Sequence, residues 1–197
     1  LALLLRPEYA LCLLAFAVPF GSVGEWRLGP VRVGAAELLI LLLLSSWLAR
    51  GVAARRIVLP RPPLLLPLLI FVSALLLSSL SAISLELSAK EIAKWLEVVG
   101  IYVFMSASVN ERWGRWVVWA LLLAGSAEAL VGVQQFLYRI GPDGFALFGR
   151  FMRAHGDFAQ PNPFAGYMGL TLPLAYVLAL TYWPEALRAW RSRSPGP

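Results

Sequence analysis

The stretch AAELLILLLLSSWLA, residues 35–49, decides the fold class of this chain. It is mostly apolar, with Glu37 as its single charged residue, and Arg50 follows it directly. A helix needs about 20 mostly apolar residues to cross the hydrocarbon core of a bilayer. Apolar residues also cluster in long runs along the rest of the chain, instead of alternating with polar ones. We therefore predict that residues 35–49 form one of several membrane-spanning helices.

The overall composition supports this class. Of the 197 residues, 59% are hydrophobic and 14% are charged, and the mean hydropathy is +0.72. Soluble domains carry about 25% charged residues. The sequence predicts an all-α, polytopic transmembrane helix bundle with about six spans, which form one transmembrane domain over residues 1–183. The predicted spans are 9–20, 35–49, 64–82, 95–109, 116–138 and 162–183.

Several features of the segments around these spans refine the prediction. The run AFA at residues 15–17 resembles a signal-peptidase site, but we interpret the first run as a membrane helix. The residues before the fourth span form an interfacial helix in which opposite charges can pair at spacings of three and four. These charges are Lys90, Glu91, Lys94 and Glu97. The segment NERWGR, residues 110–115, reads as a tight polar turn, and the basic segment 184–197 as a disordered tail or linker.

The distribution of basic residues predicts the orientation in the membrane, because short cytoplasmic loops are enriched in Lys and Arg. With the N-terminus inside, the inner segments carry more arginines than the outer ones. The tail 184–197 is then cytoplasmic, and the loop 139–160 faces the outer side. The net charge of +6 is a cytoplasmic excess. It is not evidence for nucleic-acid binding, since no basic patch interleaved with aromatic residues occurs.

The outer loop leads into the polar motif RAHGDFAQPNPFAGYM, residues 153–168. Arg139, Arg150 and Arg153 lie near the predicted membrane surface. Arginine binds phosphate oxygens with two parallel hydrogen bonds, so Arg150 and Arg153 are candidates for binding a lipid diphosphate. The alternative is that these arginines only anchor the loop to lipid headgroups.

Other residues of the motif also have two interpretations. His155 is the single histidine and is either a general base or a hydrogen-bonded loop residue. Asn162 can cap the last helix, Pro163 suits its first turn, and Gly156 permits a tight turn. This helix-start chemistry leaves Arg153, His155, Asp157 and Gln160 unexplained. The sequence contains no pattern of metal ligands.

The fifth predicted span carries polar residues at membrane depth. Glu128 lies in its middle, and an ionisable group there suggests function by default. Gln134 and Gln135 follow about two helical turns later. These side chains either form a polar strip that leads up to the outer loop or make hydrogen bonds between helices.

The stretch RAHGDFAQPNPFAGYMGLTLPLA, residues 153–175, resembles the signature of the O-antigen ligase and O-antigen polymerase superfamily of bacterial membrane glycosyltransferases. Asp157 stands where threonine is common in the family, and His155 where an aromatic residue is common. The upstream segments 88–97 and 126–136 are also similar to the family's pattern. The matching residues are Arg153, Gly156, Phe158, Pro161, Asn162, Ala165, Gly166 and Tyr167.

The resemblance implies a metal-independent, inverting glycosyltransferase of the bacterial inner membrane that needs no cofactor. Its donor is a glycan on a polyprenyl diphosphate, and its acceptor is a glycan or lipid at the outer face. Arg153 then contacts the diphosphate, while Gln160 and Asn162 orient the substrate. The family's catalytic histidine lies in an outer loop of a C-terminal half that this sequence lacks. We therefore expect a fragment that is inactive alone, and we leave its catalytic base unassigned.

Three alternatives remain open. A repeat-unit polymerase would use the same donor with another acceptor. A polysaccharide or lipid transporter would carry polar residues along several spans, whereas here only the fifth is polar at depth. A non-catalytic membrane module is the third.

Overall fold

The fold is described from a computed structural model and is all-α. The structure describes residues 8–20, 26–28, 31–55 and 60–193. Within these ranges there are six α-helices: α1 (Glu8–Phe20), α2 (Ala35–Ala53), α3 (Leu65–Ser79), α4 (Leu85–Ser108), α5 (Glu111–Tyr138) and α6 (Pro161–Arg193). The short strands are β1 (Trp26–Leu28), β2 (Val31–Val33), β3 (Ala146–Leu147) and β4 (Phe151–Met152), and a 3-10 turn covers Asp143–Phe145. Strand β1 pairs with β2, and β3 pairs with β4.

Three described helices are long and apolar enough to cross a membrane, fewer than the six spans that we predicted. They are α2, α5 and the part of α6 from Pro161 to Pro184. Helices α1 and α3 are apolar but have only 13 and 15 residues. Helix α4 has 24 residues, but charged side chains occupy its first half. The apolar runs therefore predicted where the helices lie. The helices are too short or too charged for all six to qualify as membrane spans by length and hydropathy.

The predicted interfacial helix leads without a break into the fourth predicted span, and together they form α4, which Ser84 caps by accepting a hydrogen bond from the Leu87 N–H at 3.4 Å. Two other predictions for the segments around the spans were wrong. Most of the predicted turn 110–115 is helical, because the Asn110 side chain accepts from the Trp113 N–H at 3.1 Å and α5 begins at Glu111. Helix α6 continues through the predicted disordered tail to Arg193.

The predicted charge pairing on α4 is confirmed in part. Lys94 pairs with Glu91 at 3.0 Å, and Lys90 pairs with Glu86 at 2.6 Å. The hydrogen bond from Lys90 lowers the pKa of the Glu86 carboxyl group. Glu97 takes part in neither ion pair. These exposed pairs contribute little to stability, but they keep the first half of α4 polar.

The chain divides into two compact units. The first contains α2, α3 and α4 with the adjoining ends of α1 and α5. Edge-to-face aromatic pairs hold it together, with ring centroids 5.9 Å apart for Trp47 and Phe104 and 4.6 Å apart for Phe71 and Trp95. The second unit contains α5 from Val118 onward, the loop 139–160, α6 and the last residues of α1. All the candidate site residues lie in this second unit.

Candidate functional site

The motif folds as a tight turn between β4 and α6, which we call the motif turn (residues 153–158). The Phe158 N–H donates to the His155 carbonyl at 3.1 Å. Gly156 has φ +57°, in the left-handed region that favours glycine. A β-carbon at this position would overlap Glu128 Oε2 and lie 2.7 Å from Phe164. Both the backbone conformation and the space therefore require glycine here.

Gln135 on α5 binds the backbone of the motif turn through three hydrogen bonds. Its Oε1 accepts from the N–H groups of His155 and Gly156, both at 2.9 Å. Its Nε2 donates to the Gly156 carbonyl at 2.8 Å. The buried amide therefore acts as a substitute for a neighbouring peptide group. Gln135 thus satisfies the Gly156 N–H and carbonyl and the His155 N–H, which fastens the turn to α5.

Glu128 makes a further contact from the same helix. Its side chain is fully buried, and Oε2 accepts from the Asp157 N–H at 3.1 Å. The other oxygen, Oε1, and the Tyr167 hydroxyl are buried without a hydrogen bond to a described residue. A mid-helix carboxyl group thus recognises the motif backbone, in addition to being an ionisable residue in an apolar segment.

The face of α5 that carries Glu128 and Gln135 also carries two glycines. Gly125, Glu128, Gly132 and Gln135 follow one another at intervals of three, four and three residues, which places them on one side of a helix. A β-carbon on Gly132 would lie 2.6 Å from Phe164 Cζ. One on Gly125 would lie 3.2 Å from Thr171. The two glycines let α6 pack closely against α5, while Glu128 and Gln135 bind the motif turn. The three-four-three spacing that predicts this shared face is visible in the sequence.

Arg153 and Asn162 are in direct contact. A guanidinium N–H of Arg153 donates to Asn162 Oδ1 at 2.8 Å, and the Arg153 backbone N–H donates to the Phe145 carbonyl at 3.0 Å. The prediction that Asn162 caps the helix was wrong, because α6 already begins at Pro161 and the Asn162 oxygen accepts from Arg153. Both side chains are exposed. No described carboxylate forms a salt bridge with Arg153.

Two contacts fix the orientation of the His155 ring. Its Nδ1 is 3.1 Å from the Phe158 carbonyl oxygen, which can only accept, so Nδ1 carries the hydrogen. The ring also packs edge-to-face on Phe145, with centroids 5.3 Å apart. His155 is thus a hydrogen-bonded loop residue, and the same tautomer leaves Nε2 as the acceptor nitrogen of the ring.

The structure brings together some predicted site residues and leaves others apart. Glu128, Gln135 and Gly156 form one network, which the Arg153–Asn162 pair adjoins. Gln134 and Gln160 are exposed, and neither makes a hydrogen bond to a described residue. Arg150 is exposed in the loop before β4, with its guanidinium carbon 5.8 Å from the Phe151 ring centroid. Within the described ranges, no three His, Cys, Asp or Glu side chains are grouped so that they could hold a metal ion.

Comparison of the chain with protein-family profiles, curated proteins and solved structures finds no match.

Proposed function

We propose that this chain acts in a membrane glycosyltransferase of the O-antigen ligase type, in the bacterial inner membrane. In this proposal Arg153 binds the diphosphate of a polyprenyl-linked glycan at the outer face. The observation that carries the proposal is the exposed guanidinium of Arg153, whose side-chain partner is the neutral Asn162. The motif turn that carries Arg153 is fastened to the buried side chain of Gln135 on α5. The sequence resemblance of residues 153–175 indicates the class of donor.

The contacts of Arg153 suit an anion-binding role. Asn162 orients the guanidinium without neutralising it, and one bond uses only one of five N–H donors. The backbone bond to Phe145 and the network of Gln135 fix the main chain on either side. A cation whose position is fixed in advance stabilises developing negative charge without reorganisation. The leaving diphosphate carries this charge when the glycosidic bond breaks.

The N-terminus of α6 can favour diphosphate binding near Arg153 through the helix dipole. A helix N-terminus attracts anions through its free N–H groups and its partial positive charge. Pro161 and Pro163 have no N–H to donate. The guanidinium of Arg153 therefore has to supply most of the hydrogen bonds to the diphosphate.

The proposal includes a multi-pass topology. Helices α2, α5 and α6 are the candidate spans that length and hydropathy support. We propose that α1, α3 and the second half of α4 also cross the bilayer, because their surfaces are apolar and a bilayer thins around short helices at modest cost. This arrangement places the loop 139–160 and Arg153 at the outer surface.

The test is binding of the donor lipid. The protein is reconstituted in nanodiscs that contain undecaprenyl diphosphate or, for comparison, undecaprenyl monophosphate. Arg153→Ala should weaken diphosphate binding by roughly 10- to 100-fold, since hydrogen bonds to charged groups contribute about 1.5–3 kcal/mol. Arg153→Lys should recover part of the affinity, because lysine keeps the charge but loses the two-pronged geometry.

Arg115→Ala is the matched control. Arg115 lies in the first turns of α5, at the opposite end of that helix from the loop, and its loss should leave binding unchanged. Equal affinities of the Arg153→Ala and Arg115→Ala variants would refute the diphosphate site. Arg153→Ala should also abolish the proposed glycan transfer in cells at normal expression, and normal transfer would contradict the proposal.

A further inference from the structure

Strands β3 and β4 form a short hairpin with an aromatic residue at its tip; we call residues 146–152 the aromatic hairpin. Ala146 pairs with Met152 and Leu147 with Phe151, and the Arg150 N–H donates to the Leu147 carbonyl at 3.0 Å. The turn holds Phe148 at φ +54°, a conformation that residues other than glycine rarely adopt. Its side chain is 96% exposed. The turn therefore directs a large apolar ring away from the rest of the unit.

Phe148 belongs to a wider apolar surface. The Phe136 and Phe151 rings stack in parallel, with an interplanar angle of 3° and centroids 6.4 Å apart, and both remain half-exposed. Leu147 and Ile140 are also about half-exposed. Single exposed apolar side chains are ordinary, but a contiguous group marks an interaction surface. A cation accompanies the group, because the Arg150 guanidinium lies over Phe151.

Chain connectivity indicates what covers this surface. Helix α5 ends at Tyr138 and α6 begins at Pro161, and both are long and apolar enough to cross a membrane. The loop between them therefore starts and ends at the same bilayer surface. Aromatic rings concentrate at the boundary between headgroups and acyl chains, and arginine places its charge among the phosphates there. The aromatic hairpin offers both kinds of side chain.

We infer that the aromatic hairpin is an interfacial anchor that inserts Phe148 between lipid chains and pairs Arg150 with phosphates of anionic lipids. The inference rests on the membrane placement in the proposed function. It also assigns a task to the hairpin: β4 leads directly into Arg153, whose backbone N–H bonds to Phe145. Anchoring the hairpin holds Arg153 at the depth of the lipid phosphates, and Arg150 serves bulk lipid instead of the donor.

The test measures the depth of single labelled sites. Cys12 is the only cysteine, so a Cys12→Ala background accepts one new cysteine for an environment-sensitive fluorophore. The protein is reconstituted in vesicles that contain phosphatidylglycerol, with spin-labelled lipids that quench either near the headgroup or near the chain end. A label on Phe148→Cys should be quenched mainly by the shallow spin label. A label on Asp143→Cys, an exposed charged position of the same loop, should remain in water.

A deep reference site separates failure of the inference from failure of the membrane placement. Leu123 is 61% exposed on α5, about 22 Å along the helix from its end at Tyr138. Its label should be quenched mainly by the deep spin label. Quenching at 123 without quenching at 148 would overturn the anchor and leave the span intact. A label at 148 that reports an apolar environment but is not quenched by either spin label would also overturn the anchor, since a protein surface would then cover the tip of the hairpin. No quenching at 123 would overturn the membrane placement and the anchor together.

Discussion

Replacing Gln135 by leucine should release the motif turn from α5. The leucine side chain has a similar size but makes none of the three hydrogen bonds to His155 and Gly156. A hydrogen bond contributes about 1 kcal/mol net to stability. Loss of three should cost about 3 kcal/mol, and more where the backbone groups stay buried without partners.

This cost predicts a measurable change in local opening. Because about 1.4 kcal/mol corresponds to a tenfold change in an equilibrium constant, amides of the motif turn should exchange roughly a hundredfold faster in Gln135→Leu. Hydrogen–deuterium exchange with mass spectrometry on the reconstituted protein measures this rate. Amides in the middle of α5 should keep their protection, because the helix itself is unchanged.

The adjacent glutamine provides the control. Gln134 is exposed and makes no hydrogen bond to a described residue, so Gln134→Leu should leave exchange in the motif turn unchanged. If the two leucine variants exchange at the same rate, the three hydrogen bonds do not fasten the turn, and the reasoning fails.

Three further substitutions test the same network. Gly156→Ala should lower the melting temperature, because the left-handed backbone and the overlap with Glu128 cost about 1–2 kcal/mol or more. The control Gly166→Ala, on an open face of α6, should preserve or raise the melting temperature. Glu128→Leu should speed exchange of the motif turn about fivefold by removing one hydrogen bond, and Glu128→Gln, which keeps an acceptor oxygen, should not; equal exchange in both would argue against the contact. In the proposed glycan transfer, His155→Ala should reduce the rate by less than about tenfold, because the family resemblance does not assign the catalytic base to this position. A loss on the order of 100-fold, as for a general acid–base group, would identify its Nε2 as the base, since Nδ1 donates to Phe158.

Local hydropathy was enough to predict where the helices lie, because an apolar run is a property of the segment's own residues and does not depend on distant contacts. The starts of α1 and α2 differ from the prediction by at most one residue. Helix ends were less predictable, since they depend on backbone hydrogen bonding and capping. The side chain of Asn110 starts α5 before its apolar run, and α6 passes through Pro184 to Arg193.

The sequence by itself also identified four candidate site residues from local signals. Polar groups next to or within apolar segments pointed to Glu128, Gln135 and Arg153, and a glycine shortly before a helix pointed to Gly156. Only the tertiary structure decided which groups they bind. Gln135 meets a backbone twenty residues further along the chain, and its neighbour Gln134 faces outward. One step along a helix rotates a side chain by about 100°, so two adjacent glutamines that look equivalent in sequence end on different faces. Which face meets the motif turn depends on how α6 packs against Gly125 and Gly132, a contact between distant segments that no local pattern specifies.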